Sequence, residues 1–248
     1  RAGERAASSS RGGVVSVLLL RIAGPLQSWG DSSRFNYRAT ASAPTKSGIL
    51  GLIAAAEGRR RTDPVEDLVK LRFGVRIDQP GSVLQDFQTT HDRSGNSKPL
   101  SYRSYLTDAI FVAALEGEHS ALDQIDHAIQ RPKFPLFLGR RSCPPDIPIS
   151  MGVVDGELAS TLESVPWQAS EWFRRQRAQS GGYYATILCD SLTPSGTGSR
   201  IALRDVPISW DPDHREFGWR NVTESSVLLA EGAIRIDDHN PYELGEES

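Results

Sequence analysis

A glycine followed by two arginines, Gly139-Arg140-Arg141, ends a short apolar run and is followed by two prolines. Glycine lets a backbone approach a ligand closely, and paired guanidinium groups present the planar donors that phosphates favour. Between residues 131 and 145 there are four basic side chains and no carboxylate. Two interpretations fit this pattern equally well. The segment is either a loop that grips a nucleic-acid backbone or a Gly-Arg-Arg turn that is only solvated.

A second group of cations and rings lies nearer the start of the chain. Arg34, Phe35, Tyr37 and Arg38 interleave arginines with aromatic side chains. Such a mixture can stack bases and hold phosphates, and it can equally be a loop packed down by its aromatic residues. The residues alone leave both interpretations open.

Lys46 stands at the start of a predicted helix that Thr45 or Ser47 can cap and Gly58 can end. A phosphate-binding loop would require the pattern Gly-x-x-x-x-Gly-Lys-Ser/Thr, which is absent here. The sequence therefore excludes nucleotide hydrolysis of that type. It leaves the weaker expectation of an anion site formed by the helix N-terminus and Lys46.

The two cysteines, Cys143 and Cys189, lie far apart without the spacing of metal ligands. They suit a reducing compartment and argue against a disulfide framework or a zinc site. No apolar run reaches membrane-spanning length. We therefore expect a cytoplasmic protein with no metal, no cofactor and no membrane contact.

Charge is distributed unevenly along the 248 residues, whose formal net charge is −3. Residues 1–61 carry ten Lys or Arg against three carboxylates, whereas residues 221–248 carry one Arg against seven carboxylates. Such asymmetry allows a basic face on a mildly acidic protein. It predicts a subunit that meets nucleic acid on one side and something else on the other.

Strand and helix signals alternate along residues 14–149. Strands are predicted at 14–22, 71–78, 109–115 and 136–138, with helices at 43–58 and 119–130. The polar stretch at about 83–106 predicts a long hairpin with a Gly-Asn tip. It is either a flexible loop or an arm that reaches over a partner, because loops of that length are uncommon and usually functional or disordered. The order β-α-β-β-α-β is that of an α+β, ferredoxin-like (RRM-like) domain with an extended β-hairpin thumb.

Beyond residue 149 the pattern is less regular. A short helix within 165–177 and strands at 183–189 and 200–208 predict a small, mostly β C-terminal domain, 150–248. It would follow a disordered leader, 1–13, and the ferredoxin-like domain, 14–149. Trp210, Phe217 and Trp219 are predicted to pack this small domain rather than to bind a ligand.

These features together resemble a known family, the CasD-type subunit of Cascade, within the fifth family of CRISPR-associated proteins. Cascade is the type I-E CRISPR RNA-guided surveillance complex. The resemblance rests on LLLRIAGPLQSWG at 18–30, PTKSGILGL at 44–52, the polar hairpin and FLGRRSCPP at 137–145. It spans most of the first 150 residues, and the ordered combination is specific although each piece alone is not.

The resemblance implies a role in antiviral defence as a non-catalytic RNA-binding subunit. The body of the ferredoxin-like domain, called the palm, and the hairpin thumb would close on the bent 5′ handle of the CRISPR RNA. The subunit would cap the filament of backbone subunits of the CasC type and contact the large subunit of the CasA type. Target DNA would be reached through the assembled complex, with its sequence read by base pairing to the guide.

Side chains that grip single-stranded RNA should be cations, rings and amides on loops. Three groups meet this description and are the predicted RNA contacts. They would line a groove for the RNA. One wall of this groove is formed by Gln27, Ser28, Trp29, Arg34, Tyr37, Arg38 and Lys46; the thumb forms another wall with Gln88, His91, Lys98, Tyr102 and Arg103; and the floor consists of Gly139, Arg140 and Arg141.

The alternative function is a metal-independent endoribonuclease that processes CRISPR repeat RNA. It needs an acid and a base that converge on a ribose hydroxyl and its phosphate. His91, Lys98, Tyr102 and Tyr105 are available on the predicted hairpin, but polar hairpins contain such residues by chance. The resemblance also assigns cleavage in the type I-E arrangement to a different subunit. We therefore favour RNA binding without catalysis.

Overall fold

The computed structural model describes residues 15–30, 37–89, 91, 93–97, 100–146, 148–191, 199–211 and 213–229. The predicted leader and two predicted contacts, Arg34 and Lys98, lie outside these ranges. The described strands are β1 (Val15–Ala23), β2 (Leu26–Gln27), β3 (Trp29–Gly30), β4 (Tyr37–Arg38), β5 (Thr40–Ala41), β6 (Arg72–Gln79), β7 (Ser82–Gln88), β8 (Ser101–Thr107), β9 (Ile110–Glu118), β10 (Ser150–Asp155), β11 (Tyr183–Asp190), β12 (Ser199–Ser209) and β13 (Glu216–Leu229). The described helices are α1 (Lys46–Glu57), α2 (Glu66–Val69), α3 (His119–Gln130), α4 (Leu158–Ser164) and α5 (Glu171–Ala178).

The main sheet has seven antiparallel strands in the order β10-β1-β9-β6-β11-β13-β12. Its first four strands, together with α1 and α3, follow the chain order β-α-β-β-α-β. The first strand lies between the fourth and the third, as a ferredoxin-like domain requires. The predicted α+β, ferredoxin-like fold is confirmed.

The fourth strand of this domain is β10, which pairs with β1 through contacts such as Leu18 with Val153. The predicted strand at 136–138 was wrong, because the described residues 131–146 contain no strand. Leu138 is nevertheless fully buried in the main core. The apolar run thus anchors a loop instead of pairing in the sheet, and the Gly-Arg-Arg segment precedes the fourth strand.

Strands from beyond residue 149 extend the same sheet. β11 pairs with β6, and the β12–β13 pair continues outward from β11. Without β11, the long β6 would present an open edge, which proteins generally cover. The predicted boundary between residues 149 and 150 therefore does not coincide with an end of the sheet, and no second sheet forms the expected small β domain within the described residues.

Local sequence signals explain the helices and the central strand. β1 is buried along almost its whole length, as its uninterrupted apolar run predicted. Thr45 accepts a hydrogen bond from the Gly48 amide at the start of α1, and Gly58 ends that helix with φ +80°. α3 buries Leu122, Ile125 and Ile129 on one stripe, as the helical spacing predicted.

The polar hairpin is confirmed as a separate β structure. β7 pairs with β8 from Ser82 opposite Thr107 to Gln88 opposite Ser101. His91 and Ser97 form an isolated antiparallel bridge closer to the tip. β8 also pairs with β2 and β4, so the hairpin root is fixed to the segment that follows β1.

β6 was predicted to be half-exposed, and the structure corrects this. Its alternating polar residues are buried: Arg76 and Asp78 are both 0% exposed and face each other at 2.7 and 3.0 Å. The Arg76 guanidinium also donates to the carbonyls of Leu162, Val165 and Pro166. The alternation therefore reflects a buried ion pair that holds the end of α4 to the sheet, not a solvated face.

The two cysteines are free and buried. Burial raises the pKa of Cys189 to about 12 and also raises the pKa of Cys143. Both thiols are therefore protonated at neutral pH, and neither has the thiolate character of a reactive cysteine.

Within the described ranges, no helix combines the length and the apolar character needed to cross a membrane. In the same residues, no three His, Cys, Asp or Glu side chains stand close enough together to hold a metal ion.

Candidate nucleic-acid interface

The Gly-Arg-Arg loop is fixed against the segment that follows β1. The Ser28 amide donates to the Leu138 carbonyl at 3.0 Å, and the Cys143 amide donates to the Arg140 carbonyl at 2.9 Å. Gly139 has φ +85°, and a Cβ atom there would lie 1.6 Å from the Ser28 carbonyl oxygen. Only glycine permits both this conformation and this approach. The loop is therefore an ordered turn whose backbone position is fixed by these contacts, although its arginines also contact solvent.

Arg140 joins this loop to the hairpin root. Its guanidinium donates to the carbonyls of Ser104 at 3.2 Å and Arg38 at 3.1 Å. It also lies 4.6 Å from the centre of the Tyr105 ring. We call the group Arg38, Ser104, Tyr105, Gly139 and Arg140 the hairpin–loop junction. The arginine loop and the hairpin thus lie on the same side of the protein.

The hydroxyl of Tyr105 completes this junction. Burial favours the neutral phenol, but hydrogen bonds with Ser142, Arg140 and Arg103 and the Arg140 charge outweigh burial, so the pKa of Tyr105 is lowered. The Tyr105 side chain is itself almost fully buried. Its ring and hydroxyl therefore position the two arginines, and this role was not predicted. The signal in the sequence was its place two residues after Arg103, which puts both on one face of β8.

Exposed rings stand beside the junction. β4 pairs in parallel with β8, with Tyr37 opposite Tyr102 and Arg38 opposite Arg103. Tyr37 is 48% exposed and Tyr102 is 40% exposed. Phe87, the partner of Tyr102 in β7, is also exposed and was not predicted as a contact. Because successive side chains alternate, these rings lie on the face of β8 opposite to Arg103 and Tyr105, so a single strand would meet the rings and the cations by passing over the edge of the hairpin.

The arginines of the junction form no close ion pairs within the described residues, although Asp86 lies opposite Arg103 in the hairpin. Across the described ranges, no carboxylate oxygen lies within 4.0 Å of the guanidinium nitrogens of Arg38, Arg103, Arg140 or Arg141. The Nε atom of Arg103 is buried and has no hydrogen-bond partner among the residues that the structure describes. The junction can therefore attract an anion without first breaking an ion pair.

Three predicted wall residues have their side chains inside the protein, which corrects the prediction of an exposed wall. The Gln27 amide donates to the Ala109 carbonyl at 2.7 Å, and its oxygen accepts from the Trp29 indole at 3.1 Å. Ser28 donates to the Ser104 carbonyl at 3.3 Å. Gly48 packs on the Trp29 ring, where a Cβ atom would lie 2.8 Å away. These side chains support the junction from within.

Lys46 is also buried, and its proposed anion site is occupied by the protein itself. The Lys46 amide at the N-terminus of α1 donates to Asp205 at 2.8 Å, and its Nζ lies 3.0 Å from Asp190. Arg220 bonds both carboxylates at 2.6 Å. The Asp205 carboxylate thus takes the place expected for an external phosphate. Lys46 ties α1 to β11 and β12.

The remaining predicted contacts lie farther out on the hairpin. Gln88 is half-buried, and its amide lies 3.4 Å from the Asp86 carboxylate. His91 is exposed, with Nε2 at 3.3 Å from the Ser97 hydroxyl. The structure thus brings together, along β8 and the arginine loop, Tyr37, Arg38, Tyr102, Arg103, Gly139, Arg140 and Arg141. Gln88 follows Phe87, the partner of Tyr102, and His91 lies nearer the tip.

Comparison with known proteins shows the family to which the chain belongs. The profile of the family described as "CRISPR-associated protein (Cas_Cas5)" matches residues 17–223. The chain is 33% identical over 158 residues to the CRISPR system Cascade subunit CasD of Escherichia coli (strain K12), covering 55% of this chain and 70% of that protein.

Solved structures show the same similarity over more of the chain. A chain of a CRISPR RNA-guided surveillance complex superposes with a TM-score of 0.69 at 30% identity, covering 88% of this chain and 95% of that one. A crystal structure of a Cas protein gives a TM-score of 0.66 at 34% identity, with coverage of 87% and 98%. The chain therefore belongs to the Cas5 family of CRISPR-associated proteins and is of the CasD type.

Proposed function

We propose that this chain is a non-catalytic subunit of a type I-E Cascade complex that holds the 5′ handle of the CRISPR RNA at the hairpin–loop junction. The observation that carries the proposal is the position of Arg140. Its guanidinium spans from the loop to the hairpin, over the buried Tyr105 ring and against the carbonyls of Ser104 and Arg38. A strand that passes over the hairpin edge there would meet phosphate donors on one face and the exposed Tyr37 and Tyr102 rings on the other.

Two side chains are the main phosphate and base contacts in this proposal. Arg141 is exposed beside Arg140, and Tyr102 is exposed on β8. Arg140 itself uses part of its hydrogen-bonding capacity on two backbone carbonyls. It therefore fixes the geometry of the junction and adds charge, while Arg141 and Arg38 are freer to meet the strand.

The type of the relatives supports a proposal about the wider assembly. The curated relative is named as a Cascade subunit, and one similar structure is named as an RNA-guided surveillance complex. We propose that this chain likewise caps one end of a CasC-type backbone filament and contacts a CasA-type large subunit. Target DNA would be engaged only by the assembled complex.

The alternative, a metal-independent ribonuclease, would need an acid and a base at one phosphate. His91 lies near the exposed hairpin tip and is bonded to Ser97, whereas Tyr105 is enclosed at the root. These two candidates are at opposite ends of the hairpin, which supports binding over cleavage. Incubation of the chain with labelled repeat RNA distinguishes the two: we expect intact RNA, and a single defined cut abolished by His91→Ala would establish the ribonuclease.

We expect the double variant Arg38→Gln/Arg141→Gln, assembled with its partner subunits, to bind handle RNA at least about tenfold more weakly, because hydrogen bonds to charged groups contribute roughly 1.5–3 kcal/mol each. Loss of two phosphate contacts should also reduce the salt slope of binding by about 1.4. Fluorescence anisotropy across a salt series measures both quantities.

The matched control is Arg60→Gln/Arg61→Gln, which removes the same charge from exposed positions after α1. We expect its affinity and salt slope to equal those of the wild type. An equal loss in both double variants would mean that the RNA responds only to total charge, and the proposed site would be rejected.

A further inference from the structure

A row of exposed side chains on β13 lies outside the hairpin–loop junction. Trp219 is 68% exposed. The half-buried Phe217 precedes it and the exposed Asn221 follows it at intervals of two residues along β13, and the exposed Arg215 lies just before the strand begins. Residues at this spacing point to one face of a strand and stand about 7 Å apart. We call these four residues the β13 row.

The opposite face of β13 is directed into the protein, which fixes the direction of the row. Arg220 bonds Asp205 at 2.6 and 2.9 Å, and its guanidinium lies 5.1 Å from the centre of the Phe73 ring. Val222 is fully buried. Because successive side chains alternate, Trp219 and Asn221 face away from this interior.

Two arginines bracket Phe217 in the row. The Arg215 guanidinium lies 5.3 Å from the centre of the Phe217 ring. Arg204, from the neighbouring β12, donates through Nε to the Phe217 carbonyl at 3.1 Å. Both arginines are exposed, and among the residues that the structure describes no carboxylate oxygen lies within 4.0 Å of their guanidinium nitrogens. The nearby Glu216 instead lies 3.5 Å from His214.

From this geometry we propose that the β13 row and Arg204 bind a single nucleic-acid strand, separately from the hairpin–loop junction. Trp219 supplies a face on which a base stacks, Arg204 and Arg215 supply donors for phosphates, and the Asn221 amide reaches base edges. An anionic strand fits better than a neutral protein surface, because the row combines rings with two cations that form no ion pair within the described residues. The interaction is sequence-tolerant, since stacking accepts any base.

The test uses the full chain and a short fluorescein-labelled oligothymidylate, which lacks any handle sequence. Trp219→Ala is expected to weaken binding about tenfold, given the usual contribution of one base–aromatic stack. Trp219→Phe should restore most of the affinity because it keeps an aromatic face. Arg204→Gln/Arg215→Gln should lower the salt slope by about 1.4.

The matched control is Trp172→Ala, which removes a second exposed tryptophan, 55% exposed on α5. It is expected to leave the affinity unchanged. Cross-linking with an oligothymidylate that carries 5-iododeoxyuridine is expected to label the peptide containing Trp219, and equally so in the Arg141→Gln variant. Because Arg141 belongs to the proposed handle site, unchanged cross-linking in this variant shows that the two proposals can fail independently of each other.

Three results would each overturn the proposal. They are an equal loss of affinity in Trp172→Ala and Trp219→Ala, cross-links confined to peptides outside β12 and β13, and displacement of the oligonucleotide by polyglutamate at equal charge concentration. The last result would show that the row takes an acidic protein segment instead.

Discussion

Replacing Arg76 with methionine is expected to lower the free energy of unfolding by about 3–5 kcal/mol, the usual cost of removing one partner of a buried ion pair. Methionine fills similar space but leaves the Asp78 carboxylate buried without its partner. It also leaves the carbonyls of Leu162 and Val165 without their guanidinium donor. Urea unfolding followed by circular dichroism measures the change.

This destabilisation should depend on pH with a definite sign. Burial raises the pKa of Asp78 above its usual 3.8, and Arg76 opposes that shift. In Arg76→Met the guanidinium that lowers the pKa of Asp78 is removed, so the folded variant holds a proton on Asp78 that the unfolded chain releases. Its stability therefore falls as the pH rises above about 4, and the cost of the substitution is smaller at pH 5 than at pH 7.

The control for this variant is Arg59→Met, in which the lost partners are Glu57 and the largely exposed Asp67. A surface pair of this kind contributes about 0–1 kcal/mol. Similar losses in Arg59→Met and Arg76→Met would contradict the view that Arg76 fixes α4 to the sheet.

Gly139→Ala should disrupt the hairpin–loop junction. An alanine at φ +85° costs about 1–2 kcal/mol in backbone conformation. In addition, its Cβ would lie 1.6 Å from the Ser28 carbonyl oxygen, so the loop must move away from the segment after β1. We expect a loss of at least about 2–4 kcal/mol in stability, as is usual when a clash adds to backbone strain, together with weaker binding of handle RNA.

Gly95→Ala isolates the effect of contact from that of backbone strain. Gly95 has the same φ of +85°, but a Cβ atom there would meet nothing within 4 Å. Only the backbone cost of about 1–2 kcal/mol should therefore appear. If the two variants unfold at the same denaturant concentration, the close contact between Gly139 and the Ser28 carbonyl is absent from the protein in solution.

Sequence patterns predicted the ferredoxin-like core because its elements carry strong local signals. β1 is an uninterrupted apolar run, and α3 has apolar residues at helical spacing. β13 was missed because its exposed residues, such as Glu224 and Ser225, break the apolar alternation of a half-buried strand. The fourth strand was misplaced because the apolar residues at 136–138 are buried in a loop.

The prediction of contacts was limited by partners that are distant in sequence. Gln27 and Lys46 are polar residues in motifs that bind anions elsewhere, but their partners Ala109 and Asp190 lie about 80 and 140 residues farther along the chain. No local pattern indicates such pairs. The junction itself was anticipated correctly in one respect, since the arginine loop and the hairpin meet. Trp219, predicted to pack the interior, is exposed because the face of β13 that carries it is uncovered.

We propose that a ribonucleotide strand lies between the hairpin and the arginine loop. The most direct measurement is photo-cross-linking from handle RNA that carries 4-thiouridine at successive positions, in the complex assembled with its partner subunits, followed by peptide mapping. We expect cross-links on this chain in the peptides that contain Tyr37, Tyr102 and Arg141. Handle cross-links confined to other surfaces of the chain, such as the exposed face of α3, would contradict it.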